Sequence, residues 1–200
     1  MDKIDFKKEL KTLYSPSAKK VSFVEVPDMN FLKINGEGAP SSQQYVDAIK
    51  TLYPVAYALK FIVKKGKGVD YGVMPLEGLW WVDDMTQFST ERKEEWKWTA
   101  MIMQPKYVTE ANFKVAVEQV KKKNLPSIDK IRFEAYHEGK AAQIMHIGLF
   151  SAEGSNIQKI HTAIKAAGYE LNGRHHEIYL GDPIKTEPEK LKTIIRQPMR

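Results

Sequence analysis

The chain has 200 residues, 42% hydrophobic and 10% aromatic, enough for a packed core in one large domain or two small ones. It has no cysteine, which excludes disulfides, thiolate catalysis and cysteine-held zinc. The net charge of +6 permits contact with nucleic acid. The lysines are scattered, however, and Lys64-Lys65 and Lys121-Lys122-Lys123 fall near predicted helix ends, where cations complement the helix dipole. Direct nucleic-acid binding is therefore not expected. No apolar run approaches the ~20 residues that span a bilayer, and the first residues form no apolar signal segment. A cytoplasmic protein with no membrane partner is expected. No HExxH pair occurs, and the adjacent His175 and His176 would point to opposite faces of a strand, so neither metal nor other cofactor is expected.

Residues 1–20 are charged and read as a short helix or arm followed by a linker, Ser15-Pro16-Ser17-Ala18-Lys19-Lys20. Val21–Val26 reads as a strand stopped by Pro27-Asp28, and Asn30–Ile34 as a second, ended by Gly36-Glu37-Gly38. Ser41 or Ser42 starts a helix that runs to about Lys65. Pro54 lies inside it and predicts a kink or two abutting helices, because proline removes a backbone donor. Tyr71–Val82 is strand-like, broken at Pro75, and Trp98–Met103 is another strand after a polar loop. Thr109 caps a helix that ends before Asn124-Leu125-Pro126. Ile131–Tyr136 reads as a strand, His137-Glu138-Gly139-Lys140 as a hairpin turn, and Ala141–Phe150 as the paired strand. Ser155 caps a helix with Ile157, Ile160, His161 and Ile164 inward. His175–Leu180 and Leu191–Arg196 are the last two strands.

The order strand, strand, helix, strand, strand thus occurs twice, over about residues 21–105 and 131–198, with the Thr109 helix between. The halves also rhyme: Leu32-Lys33-Ile34-Asn35-Gly36 with Ile144-Met145-His146-Ile147-Gly148, and the stretch ending Ile102-Met103-Gln104-Pro105 with that ending Ile195-Arg196-Gln197-Pro198. The fold class expected is α+β, a pseudo-twofold tandem repeat with an antiparallel sheet, helices on one face and a central ligand groove. In the strand His175–Leu180, alternation puts His175, Glu177 and Tyr179 on one face and His176, Ile178 and Leu180 on the other. Ile178 and Leu180 look like the core side. The opposite face then carries an imidazole, a carboxylate and a phenol in a row.

The arrangement resembles the GyrI-like small-molecule-binding family over about residue 20 onward. Met74-Pro75-Leu76-Glu77-Gly78-Leu79-Trp80-Trp81, Met145-His146-Ile147-Gly148, His175–Pro183 and Lys192–Pro198 carry the resemblance. They look like the stand-alone bacterial branch, which includes enzymes that hydrolyse cyclopropanoid, DNA-alkylating compounds. Other branches are drug sensors behind DNA-binding domains, or inhibit gyrase. The resemblance implies a flat aromatic ligand and a carboxylate in the groove at Glu177, with detoxification as the role. Hydrolysis would then use Glu177 as base and Tyr179 as donor or water-positioner, with Trp80, Trp81, Tyr136 and Tyr71 stacking on the ligand. Glu134 is a second carboxylate candidate, His146 an alternative acid or base, and His175 a further lining group. Duller roles stand beside these. One of Trp80 and Trp81 belongs to the core, Glu134 pairs with a lysine, and His146 is a hydrogen-bonded structural residue. Two other functions use the chain differently: a non-catalytic module that sequesters or senses drugs, or a gyrase-interacting protein. An exposed aromatic strand edge would also let two copies pair as a homodimer.

Overall fold

The computed structural model describes residues 3–200, which divide into two compact units. The first gathers Met29–Tyr136 and the residues up to Phe6; the second gathers Lys7–Asp28 and His137–Arg200. Each unit is α+β with a four-stranded antiparallel sheet. Among the described residues no helix is long and apolar enough to cross a membrane.

The first unit contains β2 (Met29–Glu37), β3 (Leu76–Trp81), β4 (Lys97–Gln104) and β5 (Arg132–Tyr136), ordered β3-β4-β2-β5. Helix α3 (Gln43–Lys67) starts where the Ser42 side chain accepts from the Tyr45 amide. It buries Ala48, Leu52, Val55, Ala56, Leu59 and Val63. Pro54 does not divide it; one helix runs through. A proline costs one backbone donor and strains one turn, and a helix buried along a whole face tolerates both. Helix α4 (Glu110–Lys121) has a capping box between Thr109 and Asn112 and packs on α3. Trp80 and Trp98 are cross-strand partners, and the Tyr45 ring lies 5.0 Å from each. Gly36 is required opposite this cluster, since a Cβ there would sit 2.2 Å from the Trp98 ring.

The second unit opens with the short helices α1 (Phe6–Glu9, all but its first residue) and α2 (Lys11–Tyr14). It then uses β1 (Ser22–Val26), β6 (Gly139–Ile147), β7 (His175–Tyr179) and β8 (Lys192–Pro198), ordered β1-β6-β8-β7. Helix α5 (Gly154–Ala166) lays Ile160 and Ile164 against Ala142, Ile144, Ile195 and Met199. Its cap position is Glu153 rather than Ser155, and Glu153 makes no side-chain bond to the helix amides.

The predicted hairpin at His137–Lys140 does not form. β5 pairs with β2, and β6 pairs with β1. Each unit therefore takes the opening strand that the linear repeat assigns to the other. Glu138 shows why the turn reading failed: its side chain is only 1% exposed and accepts from Arg196 (3.0 Å) while pairing with His176 (2.7 Å). A residue this buried and this paired belongs to a core.

Candidate functional site

Strand alternation brings His175, Glu177 and Tyr179 to one face of β7, as the sequence implies. Which face that is differs from expectation. Glu177 is the cross-strand partner of Ile195, which pairs with Ile144. Cross-strand partners share a face, and Ile144 and Ile195 pack on α5. Glu177 thus lies on the helix-covered side of its sheet. Ile178 is fully buried on the opposite side, in the row of Met145 and Ile194.

The Glu177 side chain is 14% exposed and its oxygens are occupied. The Tyr179 hydroxyl donates to one at 2.7 Å, and Nε2 of His175 meets the other at 3.0 Å. The neighbouring Glu153 side chain also favours the ionised form of this carboxylate. Burial alone would raise the proton affinity of Glu177. His175, Tyr179 and Glu153 together outweigh it and hold Glu177 below its usual range, as an anion at neutral pH. His161, further along α5, is pushed down by burial first and then by neighbouring His175 and Lys165.

The connection from β6 to α5 forms the wall beside this anion. Gly148 turns the chain with φ +130°, a conformation that side chains disfavour. Phe150 follows, 42% exposed, and its ring stands edge-on to Tyr179 with centroids 5.7 Å apart. His146 pins this segment. Its Nε2 meets the Leu149 carbonyl at 2.9 Å and its Nδ1 meets the Asn156 amide nitrogen at 3.1 Å. The first contact requires hydrogen on Nε2, so Nδ1 accepts from Asn156. Both ring nitrogens of His146 are engaged with this segment.

The other residues singled out from sequence lie in the first unit. Trp80 is 1% exposed and locked between Tyr45 and Trp96. Trp81, next along the strand, points to the other face and is half-buried. Tyr71 is buried against Phe6, and burial pushes its phenol up. Glu134 is 43% exposed and paired with Arg132 (2.8 Å) and Lys33 (3.3 Å). The Lys33 ammonium also lies 5.5 Å from the Tyr136 ring. A surface hollow of about 550 Å³ on α4, lined by Lys114, Val115, Glu118, Gln119 and Lys122, is a solvated helix face without aromatic rings. Among the described residues no group of three or more acidic or histidine side chains is arranged to hold a metal ion.

Glu153, which acts on the Glu177 carboxylate, was not singled out from the sequence. Its signal was an acid at the amino end of an apolar-striped helix, where acids are common for capping reasons alone.

Solved structures share the architecture. An uncharacterized conserved protein from Listeria innocua is 39% identical over 99% of this chain and 100% of its own, with a TM-score of 0.91. A hydrolase from the same organism is 37% identical with a TM-score of 0.89 over 100% of both chains. Another Listeria innocua hydrolase is 38% identical with a TM-score of 0.86, over 99% of this chain and 100% of its own. No curated protein matches. The family comparison covers residues 19–200, nearly the whole chain, and places it plainly: this protein belongs to the GyrI-like small molecule binding domain family.

Proposed function

We propose that this protein hydrolyses activated cyclopropanes carried on flat aromatic molecules, and that Glu177 and Tyr179 do the chemistry. The observation that carries the reading is one buried anion, Glu177, held between a phenol and an imidazole beside an exposed aromatic ring, Phe150. Two of the similar structures are hydrolases, which supports a hydrolytic reaction.

In the reaction, water attacks the ring carbon and a C–O bond forms. The strained C–C bond breaks, and its electron pair moves through the conjugated ring to the carbonyl oxygen as a phenolate. The water loses a proton to Glu177, and the phenolate takes one from solvent. A carboxylate with low proton affinity suffices as base, because the attacking oxygen becomes strongly acidic as its new bond forms. Tyr179 leaves the carboxylate to hold the water or to donate toward the developing anion. Phe150 supplies a flat apolar face.

The test is incubation with a cyclopropanoid alkylator, with ring-opened product followed by mass spectrometry. Turnover is expected, and Glu177→Gln should lower it by about 10²–10⁴. Unchanged turnover in both Glu177→Gln and Tyr179→Phe overturns the residue assignment. The anionic state of Glu177 also favours a second reading, capture of cationic aromatic drugs without chemistry. Stoichiometric binding with no product selects it. A gyrase-interacting role has no such observation behind it, and an unaltered supercoiling assay dismisses it.

A further inference from the structure

Phe150, the ring beside Tyr179, is carried by the connection from β6 to α5, and one imidazole ties that connection down on both sides. His146 is 4% exposed near the end of β6. Its Nε2 meets the Leu149 carbonyl at 2.9 Å, and its Nδ1 meets the Asn156 side-chain nitrogen on α5 at 3.1 Å. The backbone folds around the ring, so that a Cβ on Gly148 would lie 3.6 Å from Nε2. The Asn156 amide is oriented by Lys159, whose ammonium donates to its oxygen at 3.3 Å. The amide nitrogen therefore faces His146, Nδ1 accepts, and the imidazole hydrogen sits on Nε2. The Leu149 carbonyl that Nε2 holds also accepts from the Ala152 amide at 2.9 Å and so opens the tight turn Phe150–Ala152. Phe150 is 42% exposed. A ring that open is not fixed by burial; its place follows the backbone that carries it.

We propose that His146 is the positioning residue for the aromatic wall of the site. By holding Leu149 and Asn156 it fixes where the Phe150 ring stands against Tyr179, which in turn donates to Glu177. This rests on the reading that a flat aromatic ligand lies against Phe150. It needs only that the ligand binds, so it applies to capture as well as to hydrolysis. His146 neither touches the ligand nor moves a proton in the reaction, because both of its ring nitrogens are engaged with the protein.

The first arm of the experiment uses the full chain without ligand. Long-range ¹H–¹⁵N NMR of the imidazoles should place the hydrogen of neutral His146 on Nε2. Amide exchange from Gly148 to Glu153 should quicken in His146→Leu, and less in His146→Gln, which keeps a donor for Leu149. Hydrogen on Nδ1, or exchange there that is indifferent to leucine, overturns the proposal. The second arm measures KM and kcat for the cyclopropanoid alkylator. His146→Leu should raise KM about 10-fold, His146→Gln should raise it less, and kcat should change by a smaller factor than KM in both. Phe150→Ala should raise KM by a similar factor. The double variant His146→Leu with Phe150→Ala should be no worse than Phe150→Ala alone, since the wall that His146 places is then gone. Losses that multiply in the double variant, or equal losses with leucine and glutamine, overturn the proposal and leave the hydrolytic reading standing. Binding of the alkylator without turnover sinks the hydrolytic reading alone, and the same comparison of variants is then made on Kd.

Discussion

His176 and Glu177 are neighbours in the chain and face opposite sides of one sheet, and the two sides treat a buried carboxylate differently. On the His176 side, Glu138 is bound by the Arg196 guanidinium and by His176. The same guanidinium also donates to Gln143 (2.9 Å) and to the Leu13 carbonyl (2.8 Å). The Glu138, His176 and Arg196 side chains are all enclosed. On the other side, the groups around Glu177 differ. Its partners are a phenol, an imidazole and another carboxyl, and it keeps some exposure. A full counter-charge makes an anion a structural rivet. A phenol and an imidazole, with some exposure to solvent, leave it able to exchange a partner for a ligand or a water.

The largest effect expected from breaking this contrast is on stability. Arg196→Ala strands the Glu138 charge in the core and should cost about 3–5 kcal/mol, read from urea unfolding. Glu177→Gln should do the reverse, costing much of the catalytic rate while leaving the urea midpoint nearly in place. Tyr179→Phe removes one donor to an anion and should slow turnover by about 10- to 100-fold, less than Glu177→Gln.

Acid provides a sharper probe. Burial would raise Glu138, but His176 and Arg196 lower it from 4.5 to about 2. A carboxylate lowered on folding stabilises the protein fully above its unfolded value. That contribution disappears as pH falls from 4.5 toward 2. The urea midpoint should therefore drop over that window, and Glu138→Gln should flatten the drop. The smallest effect belongs to Glu134, which stays 43% exposed in its pairs with Arg132 and Lys33. Glu134→Gln should change stability by under about 1 kcal/mol and leave turnover unchanged.

Local chemistry was legible in the residues themselves. The Ser42 and Thr109 caps, the apolar stripes of α3, α4 and α5, and the alternation that sets Glu177 beside Tyr179 and His175 all depend on neighbours within a few positions. Periodicity encodes such relations directly. Family membership was legible too, through short motifs spread along the chain. Three things were decided only by the tertiary structure. Strand partnership was one: a glycine beside Glu138 reads as a hairpin turn until distant β1 and β2 claim β6 and β5. The covered face of β7 was another, because alternation says which side chains share a side and not which side α5 will press on. The last was the meeting of Glu153 with Glu177, two acids far apart in sequence. No local pattern marks that contact. It depends on how α5, with Glu153 at its amino end, packs on the sheet that holds β7.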